Sequence, residues 1–241
     1  MMNIGAFLDI DGTLYRDSLM VEHFKKLLKY EVIDASLWHT HAKETYSNWD
    51  KRQGNYDDYL LEIANIYLNS MKGLNQEHME FISNQVIKLK GDRVYRYTRS
   101  RIDWHRKQGH KVIFISGSPE YLVSKMAQKY YATDYRGTNY IVDDNGNFTG
   151  EINQMWDADN KKNAILDFTK KYDIDLSRSY SYGDTNGDYS MFKMVGNPIA
   201  INPTKELLTK IKSDKDLCEK IKLIVERKDV IYEINPSITT F

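Results

Sequence analysis

A single cysteine, Cys218, stands among the 241 residues. An internal disulfide and a thiolate zinc cluster each need more than one, so both are excluded. Four prolines and thirteen glycines are too few for a collagenous, linker-rich or disordered chain. Charge of one sign is missing too: 34 Lys plus Arg balance 34 Asp plus Glu. Without a net positive field, generic binding to a nucleic-acid backbone is not expected. No stretch approaches the ~18–20 apolar residues of a membrane span. Residues 1–10 have no basic start and no small-residue cleavage site, and they run into an apolar strand. The expectation is a reduced, cytoplasmic setting with no membrane partner. What is present, 41% hydrophobic and 28% charged residues, is the balance of a folded globular protein. Its length suits one large domain or two small ones.

Short apolar runs that end in polar, glycine-containing turns recur along the chain. Ala6-Phe7-Leu8 leads into Asp9-Ile10-Asp11-Gly12, residues 111–115 into Ser116-Gly117-Ser118-Pro119, and residues 179–182 into Gly183-Asp184. A fourth strand is expected over 198–201. Helical patterns follow these runs at 119–129, 187–194 and from 204, and Ala164, Ile165, Phe168 and Tyr172 mark another helix over 160–172. Strands alternating with helices predict an α/β fold, a doubly wound, mostly parallel Rossmann-like sheet.

One interval breaks the alternation. About 100 residues separate the first strand from the next, whereas a crossover needs only ~12. The gap reads as helical over 19–30, 56–71 and 76–90, with Phe24, Leu27 and Leu28 on one face and Tyr59, Leu60, Ile63 and Tyr67 on another. The expected organisation is therefore a core of residues 1–14 and 91–241 with a helical cap over 15–90. A helix over 93–107 then returns to the sheet. Residues 140–151 have the form of a β-hairpin around Asp144-Asn145-Gly146, and 231–234 could form an edge strand. Trp38, His39, His41, Tyr46 and Trp49 make an aromatic, histidine-bearing stretch. Histidines two apart do not share a helical face, so packing is expected there rather than zinc.

Three polar clusters fall after predicted parallel strands: Asp9 with Asp11, Ser116, and Asp184 with Asp188. Taken singly, each has an ordinary explanation as a turn or a helix cap. Together they belong at the carboxyl ends of strands in one sheet, where open α/β folds place their ligand crevice. Carboxylates beside a hydroxyl suit a hard cation held by oxygen, such as Mg²⁺. A lysine of Asn160-Lys161-Lys162-Asn163 could meet a substrate anion.

Asp9-Ile10-Asp11-Gly12-Thr13-Leu14 resembles the first motif of the haloacid dehalogenase superfamily. Ser116 after its strand resembles the second, a helix-opening lysine the third, and Gly183-Asp184 with Asp188 the fourth. Ile115-Ser116-Gly117-Ser118-Pro119, the hairpin ending Phe148-Thr149-Gly150-Glu151, and Lys162 with Leu166 four residues on resemble the subgroup around phosphoserine phosphatase. The resemblance implies a Mg²⁺-dependent phosphatase acting on a small phosphorylated metabolite. In it Asp9 is the nucleophile that becomes an aspartyl-phosphate, and Asp11 is the general acid–base. Mg²⁺ is held by Asp9, the main chain of Asp11, and Asp184, with Asp188 in support. Thr13, Ser116, Gly117 and Lys162, preferred to Lys161 for its spacing to Leu166, bind the phosphate. A phosphotransferase of the same superfamily and a silent phosphate-binding protein are the alternatives. The chain departs from the subgroup at Ser18, where phosphoserine phosphatases carry glutamate, and at Gly187, where they usually have asparagine. No arginine can be matched to the one that holds the substrate's carboxylate.

Overall fold

The computed structural model describes residues 2–36, 38–51, 53 and 56–239. Its centre is strand β1 (Gly5–Leu8), joined on one side to β2 (Lys111–Pro119) and on the other to β5 (Tyr180–Gly183). Beyond β2 lie β3 (Asp134–Val142) and β4 (Phe148–Asn153); beyond β5 lie β6 (Asn197–Ile201), β7 (Lys222–Arg227) and β8 (Val230–Ile234). The order is β4-β3-β2-β1-β5-β6-β7-β8, parallel except for the outer pairs β3–β4 and β7–β8. The hairpin expected over 140–151 is thus part of the sheet, because its first strand starts at Asp134 and pairs in parallel with β2. β8 is the edge strand expected near 231–234, and β7 is a strand the sequence did not announce.

Alternation along β1 shows why the sheet is covered on both faces. Ala6 and Leu8 pack with Ile102 of α5 (Arg96–Lys107) and with Leu122, Val123 and Met126 of α6 (Glu120–Lys129). Phe7 points the other way, toward Ala164, Ile165 and Phe168 of α7 (Ala158–Tyr172) and Met191 of α8 (Tyr189–Met194). α9 (Lys205–Ser213) and α10 (Lys215–Lys220) cover the β6–β7 side, with Thr204 and Asp214 capping their first turns.

Between β1 and β2 the chain runs through α1 (Leu19–Lys29), a π-helical turn (Trp38–Ala42), α2 (Lys43–Asp50), α3 (Tyr56–Met71) and α4 (Gln76–Lys90). These helices share an apolar cluster that includes Phe24, Leu27, Ile63, Tyr67, Met79 and Ile82. Trp38, Tyr46 and Trp49 pack against it, and the Trp49 ring stacks on Tyr59 at 5.8 Å. His39 is exposed, and the side chain of His41 lies outside the described residues. Two sets of backbone bonds tie the helices to the sheet. Arg16 and Tyr95 donate to Arg93 and Leu14 where the chain leaves and re-enters, and Gly73, Phe148 and Gln76 bind the α3–α4 turn to the tip of the β3–β4 hairpin. Tyr140 and Phe148 of that hairpin belong to the helices' own cluster.

One buried polar chain crosses the same boundary. His23 Nε2 faces the Met79 carbonyl at 3.3 Å, so that nitrogen carries the proton and donates. Nδ1 then accepts from the Tyr67 hydroxyl at 2.8 Å, and Tyr67 in turn accepts from Tyr121 on α6. Every donor is used in one direction, and only a neutral imidazole allows it.

Candidate active site

The register brings the strand ends level. Leu8 pairs with Phe114 on one side and Tyr182 on the other, so Asp9, Ser116 and Asp184 emerge at one edge, beside the point where the strand order reverses. β2 loses its register with β3 between Ile115 and Pro119, which turns Ser116, Gly117 and Ser118 toward that edge. Gly12, at φ +77°, closes the turn after β1. A Cβ there would sit 2.0 Å from Asp184 Oδ2, so the turn and the carboxylate can coexist only with glycine.

Asp9, Asp184 and Asp188 are all buried, and each offers an oxygen within 4.8 Å of the other two. Asp188 uses Oδ2 to accept from the amides of Asp184 (2.9 Å) and Thr185 (3.0 Å), and Oδ1 to accept from Lys161 (2.6 Å). Asp184 Oδ1 accepts from the Thr13 hydroxyl at 2.7 Å, and Asp9 Oδ1 accepts from Lys161 Nζ at 2.7 Å. The second oxygens of Asp9 and Asp184 accept no hydrogen bond among the described residues.

Three carboxylates thus face one ammonium. Burial disfavours the charge on Lys161, yet Asp188 and Asp9 outweigh it and hold the amine protonated far into the alkaline range. Burial also raises the Asp9 carboxyl well above the carboxylate range, more than Lys161 lowers it, and Asp188 and Asp11 add repulsion. Asp184 is raised in the same way, by burial and then by Asp188 and Asp9. A cluster one cation short, built from oxygen donors, fits a hard divalent ion such as Mg²⁺.

Asp11 stands apart from these three. Its Oδ1 accepts from the Leu19 amide (2.9 Å), and its Oδ2 from the hydroxyls of Ser118 (2.5 Å) and Ser18 (3.3 Å). Burial pushes its carboxyl up to about 6 against those hydrogen bonds. Asp9, Asp11, Ser18, Ser116, Gly117, Ser118, Lys161 and Thr185 form the polar floor of one cavity of about 140 Å³.

Most of the residues singled out in the sequence meet here, with two changes. Lys162 is exposed, as is Leu166, the residue whose spacing favoured it. Lys161 is the lysine in the cavity, because α7 buries the stripe 161-164-165-168. That stripe follows from helical periodicity and could have decided between the two lysines. Thr13 holds a carboxylate and does not line the cavity. Sequence reasoning missed Ser118, the role of Ser18 and Trp156. The Trp156 backbone lies so close to Gly187 that a Cβ there would be 2.5 Å from its carbonyl oxygen, which accounts for glycine where an asparagine is usual in the subgroup it resembles.

A family model for haloacid dehalogenase-like hydrolases matches residues 6–193. The chain belongs to that family. Among relatives of this hydrolase is an inhibition of morphological differentiation protein of Streptomyces azureus, 28% identical over 204 residues, 84% of this chain and 73% of the relative. A histidinol-phosphatase of Neisseria meningitidis is 22% identical over 212 residues, 86% of this chain and 93% of that protein. The phospho-aspartyl intermediate analogue of a phosphoserine phosphatase shares the hydrolase's fold. Its TM-score is 0.60 at 20% identity, covering 95% of this chain and 96% of that one. Among the described residues no helix is long and apolar enough to cross a membrane.

Proposed function

We propose that this hydrolase is a Mg²⁺-dependent phosphomonoesterase working through an aspartyl-phosphate on Asp9. The observation that carries the reading is the pairing of two carboxylates in one cavity with different surroundings. Asp9 sits against Lys161 in the acidic cluster, and Asp11 sits among neutral donors with its carboxyl raised to about 6. An Asp9 oxygen forms the bond to phosphorus, and the ester P–O bond breaks. Asp11, whose carboxyl at about 6 keeps a protonated fraction near neutrality, gives its proton to the departing alcohol oxygen; as a carboxylate it then takes one from water, which attacks phosphorus and frees Asp9. Ser116, Gly117 and Lys161 orient the phosphoryl oxygens. Asp9, Asp184 and the Asp11 main chain would hold Mg²⁺, with Asp188 fixing Lys161 and the turn behind it; the ion, when bound, would offset the charge of carboxylate and dianion. Relatives named as a histidinol-phosphatase and a phosphoserine phosphatase are consistent with a small phosphorylated substrate. Residues 15–90 serve as a cap over the core of 1–14 and 91–241, and in a soluble cytoplasmic enzyme they would shield the reacting centre from bulk water.

Hydrolysis of p-nitrophenyl phosphate, with and without Mg²⁺, tests this for the parent and Asp9→Asn. Activity requiring both the metal and Asp9 is expected. Metal-independent turnover that survives Asp9→Asn would refute it.

A further inference from the structure

The floor of the cavity is polar, but the wall and roof above it are not. α1 contributes Met20, α3 contributes Leu60, Leu61 and Ala64, and the chain before α7 contributes Trp156. Lys161 is the one cation among the described lining residues, and both of its near neighbours, Asp9 and Asp188, are carboxylates. Ser18 occupies the position of the subgroup's glutamate, and its hydroxyl is turned to Asp11 while its oxygen caps α1. Nothing described in the upper half of the cavity could pair with a carboxylate or an ammonium on the leaving group.

From this lining we infer that the enzyme selects phosphomonoesters of uncharged, apolar alcohols, aryl or alkyl, and discriminates against amino-acid and amino-alcohol phosphates. The inference rests on the phosphatase reading above and specifies its substrate class. An ionised group placed among Met20, Leu60 and Trp156 loses water and gains no partner among the described residues, a cost that falls on both binding and the transition state. An apolar alcohol gains contact with the same surfaces. A volume of about 140 Å³ takes the phosphoryl group and the first few carbons. Leu61, 54% exposed at the rim, supplies apolar surface for whatever extends beyond.

Benzyl phosphate and O-phosphoserine are both esters of primary alcohols and separate charge from leaving-group reactivity. With Mg²⁺ present, kcat/KM for benzyl phosphate should exceed that for O-phosphoserine by at least ~10-fold. Leu61→Arg, at an exposed position that leaves packing intact, should shrink the ratio several-fold, mainly through KM for O-phosphoserine. Equal rates, or a preference for O-phosphoserine, would overturn the substrate class while turnover of p-nitrophenyl phosphate kept the phosphatase reading standing. No turnover of any ester, p-nitrophenyl phosphate included, would remove that reading and this inference with it.

Discussion

Lys161 Nζ lies 2.7 Å from Asp9 Oδ1, both groups buried, while the neighbouring Lys162 faces solvent. The pair sets up the first prediction. Lys161→Ala leaves Asp9 and Asp188 buried without their countercharge, a loss of about 3–5 kcal/mol in stability, and should cost several orders of magnitude in phosphatase rate. Lys162→Ala should stay within about 0.5 kcal/mol of the parent and keep its rate. Urea unfolding and p-nitrophenyl phosphate assays of the two variants decide it, and equal effects would reject the placement of Lys161.

The same lysine shows where the sequence was legible. Strands ending in Asp9, Ser116 and Asp184 could be read because each is a short apolar run stopped by a polar turn, and the parallel sheet then forces their ends together. Between the two lysines, spacing to Leu166 points to Lys162 while the stripe of Ala164, Ile165 and Phe168 points to Lys161, and burial follows the stripe. β7 is not announced because Lys222 and Arg227 bound a run of only four residues, of which Leu223 is buried by α9 and α10 and Ile224 by the cluster on the other face. The roof of the cavity was unreadable for a different reason. Leu60, Leu61 and Ala64 look like any helix face, and only the packing of α3 against α1 and the β3–β4 hairpin turns that face toward the site. Trp156 lies in no pattern, since its place follows from backbone approach at Gly187.

Charge in the acidic cluster gives a second prediction, independent of turnover. With no divalent ion, Asp184 adds repulsion to Asp9 and Asp188, so Asp184→Asn should unfold at a higher temperature than the parent. Mg²⁺ at a hundred times its Kd should stabilise the parent by about 2.7 kcal/mol and the variant by much less. Thr13 can still donate to the asparagine oxygen, so the neutral side chain keeps its anchor. Thermal unfolding with and without Mg²⁺ reads both effects, and a variant that gains as much from the ion as the parent would exclude Asp184 as a ligand.

Phe148, 4% exposed, belongs to the hairpin yet packs within the cluster of α1, α3 and α4, beside backbone bonds from Gly73 to Phe148 and from Phe148 to Leu74. Phe148→Ala should destabilise by about 3 kcal/mol. The damage should be local. Hydrogen exchange at residues 63–71 and 79–82 should speed up more than at β1 and β2, because the latter belong to other apolar clusters. Uniform acceleration would mean the helices and the sheet unfold as one unit.

Acid should expose the polar chain through His23. Burial lowers its pKa to about 4, against a small upward pull from the Met79 carbonyl, and its Nδ1 must stay bare to accept from Tyr67. Unfolded, the imidazole titrates near 6.5. Below that pH the unfolded chain binds a proton that the folded one refuses, so stability falls with pH from about 6.5 toward 4 and is flat above. Between pH 7 and 5 the cost is about 2 kcal/mol for this one group, since each unit is worth about 1.4 kcal/mol. His105, lowered to about 3 by burial, Arg101 and His110, adds to the total slope but not to the difference between variants. His23→Gln keeps an amide donor for Met79 and a carbonyl acceptor for Tyr67 without the titration. Urea unfolding at pH 7 and pH 5 should therefore show the parent losing about 2 kcal/mol more than the variant, and equal losses would mean that His23 takes up its proton in the folded state.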